Sequence, residues 1–265
     1  MPKSTAYLAK LPDETGHIPY SAEEDAVWRD LFARQVPAVR RHAASAFLDG
    51  LDRLALPADR VPQCRDVSER LMAMTGWQVT PVPALIPFGR FFALLSQKIF
   101  PAASFIRSRR DFDYIEEPDI FHEIFGHTPL LTDPRFAAFS QVIGATGLRA
   151  DKADYPWLIR LYWFSIEFGL FRENRQIKGL GSGIASSPTE LIWAVTDPTP
   201  ERRPFDVIDI LRTPYRIDIP QPVYFVIDSL DQLFAAASRD LLADIAQARR
   251  LGLHAPKYPP KPLSA

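Results

Sequence analysis

The stretch from Tyr155 to Phe171 is apolar on nearly every side and carries one acidic residue, Glu167. A helix that is hydrophobic all round belongs in the interior of a protein, so this pattern predicts a central, buried helix. Burying a carboxylate there costs several kcal/mol unless a neighbouring group compensates its charge. A fold that buries this stretch must therefore bring a compensating group, such as a divalent metal, to Glu167.

A second apolar segment, residues 121–127 with the sequence FHEIFGH, holds two histidines that offer such compensation. A divalent metal bound by His122, His127 and Glu167 would neutralise the carboxylate. Three protein ligands would also leave coordination positions open, as catalytic metal sites do. We therefore predict that these three residues are the metal ligands and the catalytic centre.

The two histidines are five residues apart, whereas the His-Glu-x-x-His motif of zinc metalloproteases places them four apart. On an α-helix, a separation of five leaves the side chains about 140° apart. We predict that a helix over residues 117–125 ends at Gly126, so that His127 returns toward the metal from the following loop. Two histidines and one carboxylate on one face of an octahedron are typical of non-haem Fe(II) oxygenases.

Other interpretations of these residues remain open. A zinc hydrolase can use two histidines and a glutamate, and a helical binding protein can keep such a site as a structural anchor. The five-residue spacing disfavours the hydrolase, and the three-ligand set disfavours the anchor, because structural sites are usually closed. Glu123 either faces solvent or lies beside the metal ligands as a hydrogen-bond acceptor.

Composition excludes several classes of protein. The chain has 265 residues, is 47% hydrophobic and has a net charge of -1, so no strong field favours nucleic acid or an anionic membrane. Its one cysteine, Cys64, allows no internal disulfide, which fits a reducing, cytoplasmic compartment. No stretch of the sequence reads as a membrane span.

The hydrophobic pattern predicts a single, mainly helical domain with a few short strands. We divide the chain into an N-terminal arm (1–20), a catalytic domain (21–250) and a loosely held Pro-rich tail (251–265). Ser21 and Glu24 form a predicted capping box at the start of the first long helix. The pattern predicts further helices over 66–75, 90–96, 134–143, 189–195 and 229–249, strands over 99–106 and 223–227, and a loop over 79–87.

Several motifs together resemble the pterin-dependent aromatic amino acid hydroxylases, most closely the bacterial members that act on phenylalanine. The motifs are EPDIFHE (117–123), GH (126–127), LYW (161–163), IEFGL (166–170), GIASS (183–187) and YRID (215–218). The resemblance implies the mainly helical catalytic fold of this family. It further implies that the protein is a monooxygenase that converts L-phenylalanine to L-tyrosine. It also implies mononuclear Fe(II) on His122, His127 and Glu167, with O2 and a tetrahydropterin (tetrahydrobiopterin or a related compound) as co-substrates.

The resemblance also implies positions for the cofactor and the substrate. The residues matching the pterin site are Val82, Ala84, Leu85, Ile86, Phe91, Glu123 and Tyr162. Those matching the amino acid site are Arg107, Ile115, Pro118, Trp163, Phe168 and Ser186. Animal relatives carry a threonine at the place of Ile115 and a histidine at the place of Pro101, and the glycine segment 179–183 also differs from the expected form.

The implied partners are small molecules alone: L-phenylalanine, O2 and the tetrahydropterin, without nucleic acid or membrane. The chain lacks the regulatory domain and the tetramerising helix of the animal members, so we expect a monomer. Tryptophan 5-hydroxylation and phenylalanine 3-hydroxylation remain open, because the shape of the ring pocket decides between these reactions.

Overall fold

The structure is a computed structural model that describes residues 7–115 and 117–260. Helices dominate it, as the sequence predicted. The helices in these ranges are α1 (Ala22–His42), α2 (Ser45–Leu54), α3 (Cys64–Thr75), α4 (Phe88–Ser96), α5 (Pro134–Arg149), α6 (Tyr155–Tyr162), α7 (Ser182–Ser186), α8 (Pro188–Thr196), α9 (Val207–Arg212), α10 (Leu230–Ala237) and α11 (Leu241–Leu251).

Two small sheets complete the fold. Strands β1 (Gln78–Val82) and β2 (Ile99–Ala103) pair in parallel. Strands β3 (Gly169–Glu173), β4 (Gln176–Gly179), β5 (Glu201–Pro204) and β6 (Val223–Ile227) form a second sheet in the order β4-β3-β6-β5. Within it, β3 and β4 are antiparallel, whereas β6 runs parallel to both β3 and β5. A mainly α domain with a few short strands is confirmed.

Helix α1 begins as the capping box predicted. The Glu24 N–H donates to the Ser21 hydroxyl at 3.3 Å, and the Ser21 N–H donates to the Glu24 carboxylate at 2.7 Å. Pro37 lies inside the helix, which continues to His42. The helix buries Trp28 and Leu31 in the core and so gives the domain one long wall.

Two predicted elements differ in the structure. The segment predicted as a loop over 79–87 begins as strand β1, which tolerates Pro81 because a two-stranded sheet leaves one edge of each strand unpaired. The helix predicted over 229–249 is two helices. The first ends at Ala237, and Asp240 caps α11, since its side chain accepts a hydrogen bond from the Ala243 N–H at 3.1 Å.

The apolar stretch 155–171 is also more varied than one helix. Helix α6 ends at Tyr162, a π-helical turn covers Trp163–Glu167, and strand β3 begins at Gly169. Strand β3 is held by the buried strand β6, with Gly169 opposite Phe225. The prediction of a helix to Phe171 is therefore wrong, although the stretch does lie at the centre of the fold.

Residues 251–260 of the tail contact the body of the domain through hydrogen bonds and ion pairs. The His254 N–H donates to Arg212 O at 2.9 Å, the Arg216 guanidinium donates to Pro259 O at 2.9 Å, and Lys257 pairs with Glu201 at 2.8 Å. Residues 254–259 thus follow the surface of α9 and β5. Among the described helices, none is both long and apolar enough to cross a membrane.

Candidate active site

The two histidines lie on one π-helical turn, Phe121–His127. Such a turn pairs residues five apart, so it brings His122 and His127 to the same side without leaving the helix. The predicted helix end at Gly126 is wrong, because the turn continues through His127. Gly126 allows a close approach instead: a Cβ there would lie 2.9 Å from Ser182 O of α7.

Glu167 reaches these histidines from the π-helical turn after α6. Its Oε1 lies 3.1 Å from His127 Nε2 and its Oε2 lies 3.6 Å from His122 Nε2. The two imidazole Nε2 atoms are 3.1 Å apart. The sequence therefore predicted correctly that three distant side chains meet, although it placed them on the wrong local structures.

These separations allow a test of the metal prediction. Ligand atoms about 2.1 Å from a metal are about 3.0 Å apart when they meet at right angles, and about 3.4 Å apart in a tetrahedron. The two separations of 3.1 Å fall nearer to the octahedral edge, whereas the 3.6 Å between Glu167 Oε2 and His122 Nε2 is longer than both values. Two imidazole nitrogens and a carboxylate oxygen on such a face fit Fe(II).

A second carboxylate, Glu123, also lies within reach of the histidines. Ligand atoms of His122, Glu123 and His127 lie within 4.8 Å of one another. The Glu123 Oε2 is 3.9 Å from His127 Nε2, however, which is farther than either Glu167 contact. Burial, followed by the charge of Glu167, raises the pKa of Glu123 well above its usual value. The longer distance, together with a raised pKa that disfavours the ionised form that binds metals, makes Glu167 the better third ligand.

The proton states of the ligands also suit a metal. Burial lowers the pKa of His122 to about 4 against the opposing charge of Glu167, so this imidazole is neutral at pH 7. Burial acts to raise the pKa of Glu167, but His127, His122 and a hydrogen bond from Ser182 hold it at about 2. A neutral imidazole and an ionised carboxylate are the forms that bind metals.

Helix α7 orients two of the three ligands. The Ser186 hydroxyl lies 2.9 Å from His122 Nδ1, and the Ser182 hydroxyl donates to Glu167 Oε2 at 2.8 Å. Gly181, just before the helix, permits this approach, because a Cβ there would lie 2.2 Å from Glu167 O. The glycine segment 179–183 therefore seats α7 against the metal ligands. Ser186 was predicted at the amino acid site, and in the structure its described partner is His122.

Asp119 is a central residue that the sequence reasoning missed. Its carboxylate accepts from Arg107 Nε at 2.8 Å, from Arg107 Nη2 at 2.9 Å and from the Arg107 N–H at 3.0 Å. It also accepts from the His122 N–H at 3.1 Å. Burial acts to raise the pKa of Asp119, but Arg107 outweighs burial and lowers it. Asp119 thus connects the predicted substrate-binding arginine to a metal ligand.

Two of the predicted pterin-site residues, Phe91 and Tyr162, contact each other close to His127. The rings of Phe91 and Tyr162 meet edge to face with centroids 5.2 Å apart, and the Tyr162 ring lies 6.3 Å from that of His127. Val82 ends β1 and is buried, whereas Leu85, in the loop before α4, is 72% exposed. Ala84 and Ile86 share that loop. Pro101 lies in β2 opposite Thr80 and is buried.

Aromatic rings surround the predicted ring pocket. Trp163 lies between Phe168, at a centroid distance of 4.4 Å, and Tyr215, at 4.2 Å with the planes 15° apart. The Trp163 Nε1–H donates to Gln221 Oε1 at 3.2 Å. The sequence reasoning did not assign a role to Tyr215 or Gln221. Two further predicted pocket residues, Ile115 and Pro118, are half-buried in the segment before the π-helical turn.

Comparison with known proteins agrees with this geometry. A family model described as biopterin-dependent aromatic amino acid hydroxylase matches residues 3–248. The chain is 50% identical over 257 residues to the phenylalanine-4-hydroxylase of Vibrio cholerae. The alignment covers 97% of this chain and 89% of the relative.

Solved structures agree as well. The apo structure of the cold active phenylalanine hydroxylase from Colwellia psychrerythraea is 48% identical, with a TM-score of 0.93 over 95% of this chain and 97% of that one. The Chromobacterium violaceum phenylalanine hydroxylase with bound Fe(III) is 41% identical, with a TM-score of 0.87 over 92% of this chain and 89% of that one. This chain belongs to the biopterin-dependent aromatic amino acid hydroxylases.

Proposed function

We propose that this protein hydroxylates L-phenylalanine to L-tyrosine, with O2 and a tetrahydropterin, at a mononuclear non-haem Fe(II) centre. The observation that carries the proposal is the face formed by His122, His127 and Glu167, whose ligand atoms lie 3.1 to 3.6 Å apart. The similarity to phenylalanine-4-hydroxylases over nearly the whole chain supports the choice of phenylalanine.

The three ligands would hold the iron, which together with two electrons from the pterin supplies the activation of O2. The residues of the chain keep the ligands ready for this role. Ser182 fixes the Glu167 carboxylate by a hydrogen bond of 2.8 Å. Phe100 packs against the His127 ring at a centroid distance of 4.5 Å and limits the access of water to that side.

The pterin would lie on the side of Phe91. This half-buried ring offers a flat face for stacking, and backbone groups of residues 82–86 would contact the edge of the pterin. Glu123 and Tyr162 complete this side. Burial raises the pKa of Glu123, which favours the protonated carboxyl group, a form that can donate a hydrogen bond to a pterin acceptor.

The amino acid would lie on the opposite side of the iron position. Arg107 supplies a guanidinium for its carboxylate, and a planar fork of this kind can bind a carboxylate through two hydrogen bonds. Trp163 and Phe168, with Pro118 and Ile115, would line the slot for the aromatic ring. Ile115 makes that slot apolar where animal relatives have a hydroxyl group.

The role of Ser186 in this proposal is to orient His122. If His122 Nε2 faces the metal, its Nδ1–H donates to the Ser186 hydroxyl. We expect Ser186→Ala to weaken Fe(II) binding about 10- to 100-fold, the usual effect of losing such a partner. Competition with a chromogenic chelator would measure this change. Ser187→Ala is the matched control, because Ser187 caps α8 at the Glu190 N–H and does not contact a metal ligand; equal iron affinity in both variants would contradict this role.

Turnover provides the direct test of the proposal. The protein is loaded with Fe(II) without oxygen and then mixed with phenylalanine, tetrahydropterin and O2. We expect L-tyrosine to form in step with pterin oxidation, and no product when iron or pterin is omitted. If phenylalanine gave 3-hydroxyphenylalanine instead of tyrosine, the protein would be a phenylalanine 3-hydroxylase. If tryptophan gave 5-hydroxytryptophan faster than phenylalanine gave tyrosine, it would be a tryptophan 5-hydroxylase. Absence of any hydroxylated product would overturn it.

The proposal extends to the organisation of the chain. Residues 21–250 would form the catalytic domain, with the arm (1–20) and the tail (251–265) on either side. We propose a monomer, since His122, His127 and Glu167 can form the metal face without a residue from a second chain. A cytoplasmic location would suit Fe(II) and a reduced pterin, and the single thiol, Cys64, is buried.

A further inference from the structure

Residues 7–20, the described part of the N-terminal arm, lie against the loop that carries Arg107. We call residues 104–111, which follow β2, the arginine loop. Arg107 is buried, and its guanidinium is held on one side by Asp119. Beyond Arg107 the loop turns outward, and residues 108–110 are exposed. The orientation of Arg107 therefore depends on what holds the backbone of this loop.

Tyr7 holds the loop on both sides of Arg107. Its ring stacks on Phe105 with centroids 4.9 Å apart and planes 9° apart. Its hydroxyl accepts from the Ser108 N–H at 3.1 Å and donates to the Asp111 carboxylate. One phenol thus contacts the loop two residues before Arg107, one residue after it and again four residues after it.

Two more residues of the arm hold the start of the loop. The Lys10 N–H donates to the Ser104 hydroxyl at 3.0 Å, and the Tyr20 hydroxyl donates to Ser104 O at 2.9 Å. The Lys10 ammonium pairs with Glu24 at 2.6 Å and lies 5.4 Å from the centre of the Tyr20 ring. The arm is therefore attached to α1 at Glu24 and to the arginine loop at Ser104.

Helix α1 holds the far end of the same loop. The Arg109 guanidinium pairs with Asp30 at 2.6 Å, and the Arg34 guanidinium donates to Phe112 O at 3.1 Å. The arm thus contacts residues 104, 105, 108 and 111 of the loop, and α1 contacts Arg109 and Phe112. The Arg107 N–H also donates to Asp119 at 3.0 Å, and the Ile120 N–H donates to Phe105 O at 2.8 Å. The arm is therefore one of the supports of the backbone beside Arg107.

We infer that Tyr7 is a positioning residue for Arg107, through which the N-terminal arm sets the affinity of the site for the carboxylate of the amino acid. The inference rests on the proposed function, which places the substrate carboxylate on Arg107. Tyr7 acts on the backbone that presents the guanidinium and does not touch the substrate. Because Tyr7 contacts the loop at Phe105, Ser108 and Asp111, we expect its loss to change the iron ligands and the pterin side little.

Tyr7→Phe tests this inference, because it keeps the stack on Phe105 and removes the polar contacts of the hydroxyl with Ser108 and Asp111. We expect the KM for phenylalanine to rise about 3- to 10-fold, the usual effect of losing one or two hydrogen bonds, with kcat changed less than about twofold. The KM for tetrahydropterin and the affinity for Fe(II) should stay at the parent values. Leu8→Ala is the matched control, since Leu8 is in the same arm and 89% exposed.

Phenylalaninamide, which lacks the carboxylate, separates positioning from general damage. If Tyr7 acts through Arg107, Tyr7→Phe raises the KM for phenylalanine more than the KM for the amide. Equal increases for both compounds, or an unchanged KM for phenylalanine in a parent enzyme that makes tyrosine, would overturn the inference alone. A parent protein that makes no tyrosine would instead overturn the proposed function.

Discussion

Replacing Glu167 with alanine is expected to abolish Fe(II) retention and to lower kcat/KM for phenylalanine by at least about a thousandfold. The carboxylate is the one ionised oxygen ligand on the face, 3.1 Å from His127 Nε2 and 3.6 Å from His122 Nε2. Without it, two imidazoles remain, and they neither complete the face nor neutralise the metal charge. The fold should survive, because alanine leaves no charge to bury.

Three measurements on Glu167→Ala distinguish a catalytic site from a structural anchor. These are the iron content after reconstitution, the circular dichroism spectrum and the rate of tyrosine formation. Glu201→Ala is the control, since Glu201 is an exposed carboxylate of β5 that pairs with Arg203 and Lys257. Full activity in Glu167→Ala would refute the ligand assignment. A protein that unfolds, beside an inactive parent, would favour a structural metal.

The chemistry of the site could be predicted from sequence because it depends on residue types in apolar surroundings. The cost of burying Glu167 predicted a metal beside it, and the five-residue spacing of the histidines disfavoured a zinc protease. The local structure could not be predicted in this way. A π-helical turn at 121–127 depends on contacts from elsewhere, such as the close approach of Ser182 to Gly126.

The strands show the same limit. Residues 169–171 have the apolar character of a buried helix, yet they pair with residues 225–227, which lie more than fifty positions later. No local pattern records that pairing. Strands β4 and β5 were also missed, since each has only four residues and carries charged side chains among them.

Asp119 was missed for a different reason. It lies in the motif at 117–123 among apolar neighbours, so the argument applied to Glu167 also applies to it: a carboxylate in such surroundings needs a compensating charge. Arg107, which could supply that charge, lies twelve positions earlier in the sequence. The burial argument would have paired them, which makes Asp119 a residue that the sequence could have indicated.

Asp119→Ala is expected to lower the free energy of unfolding by about 3–5 kcal/mol, because it leaves the buried guanidinium of Arg107 without its partner. Both side chains are nearly inaccessible to solvent, at 8% and 0% exposed. The same change removes the acceptor of the His122 N–H, so iron affinity and turnover should fall together with stability. Urea unfolding of the metal-free protein would measure the loss of stability. Titration of the folded protein with Fe(II) would measure the loss of iron affinity.

Asp113→Ala is the matched control for this change. Asp113 also pairs with an arginine, Arg34 at 2.6 Å, but its side chain is 92% exposed. An exposed pair contributes about 0–1 kcal/mol, so this variant should unfold almost as the parent does.

A double variant, Arg107→Met with Asp119→Ala, should recover part of the stability lost in Asp119→Ala, because it removes the unpaired charge. Its KM for phenylalanine should stay high, because it lacks the guanidinium of Arg107. Recovery of stability without recovery of substrate affinity would show that the pair serves the fold and that Arg107 serves the substrate. If Asp119→Ala and Asp113→Ala lower the free energy of unfolding by similar amounts, the buried pair stabilises the protein no more than a surface contact does.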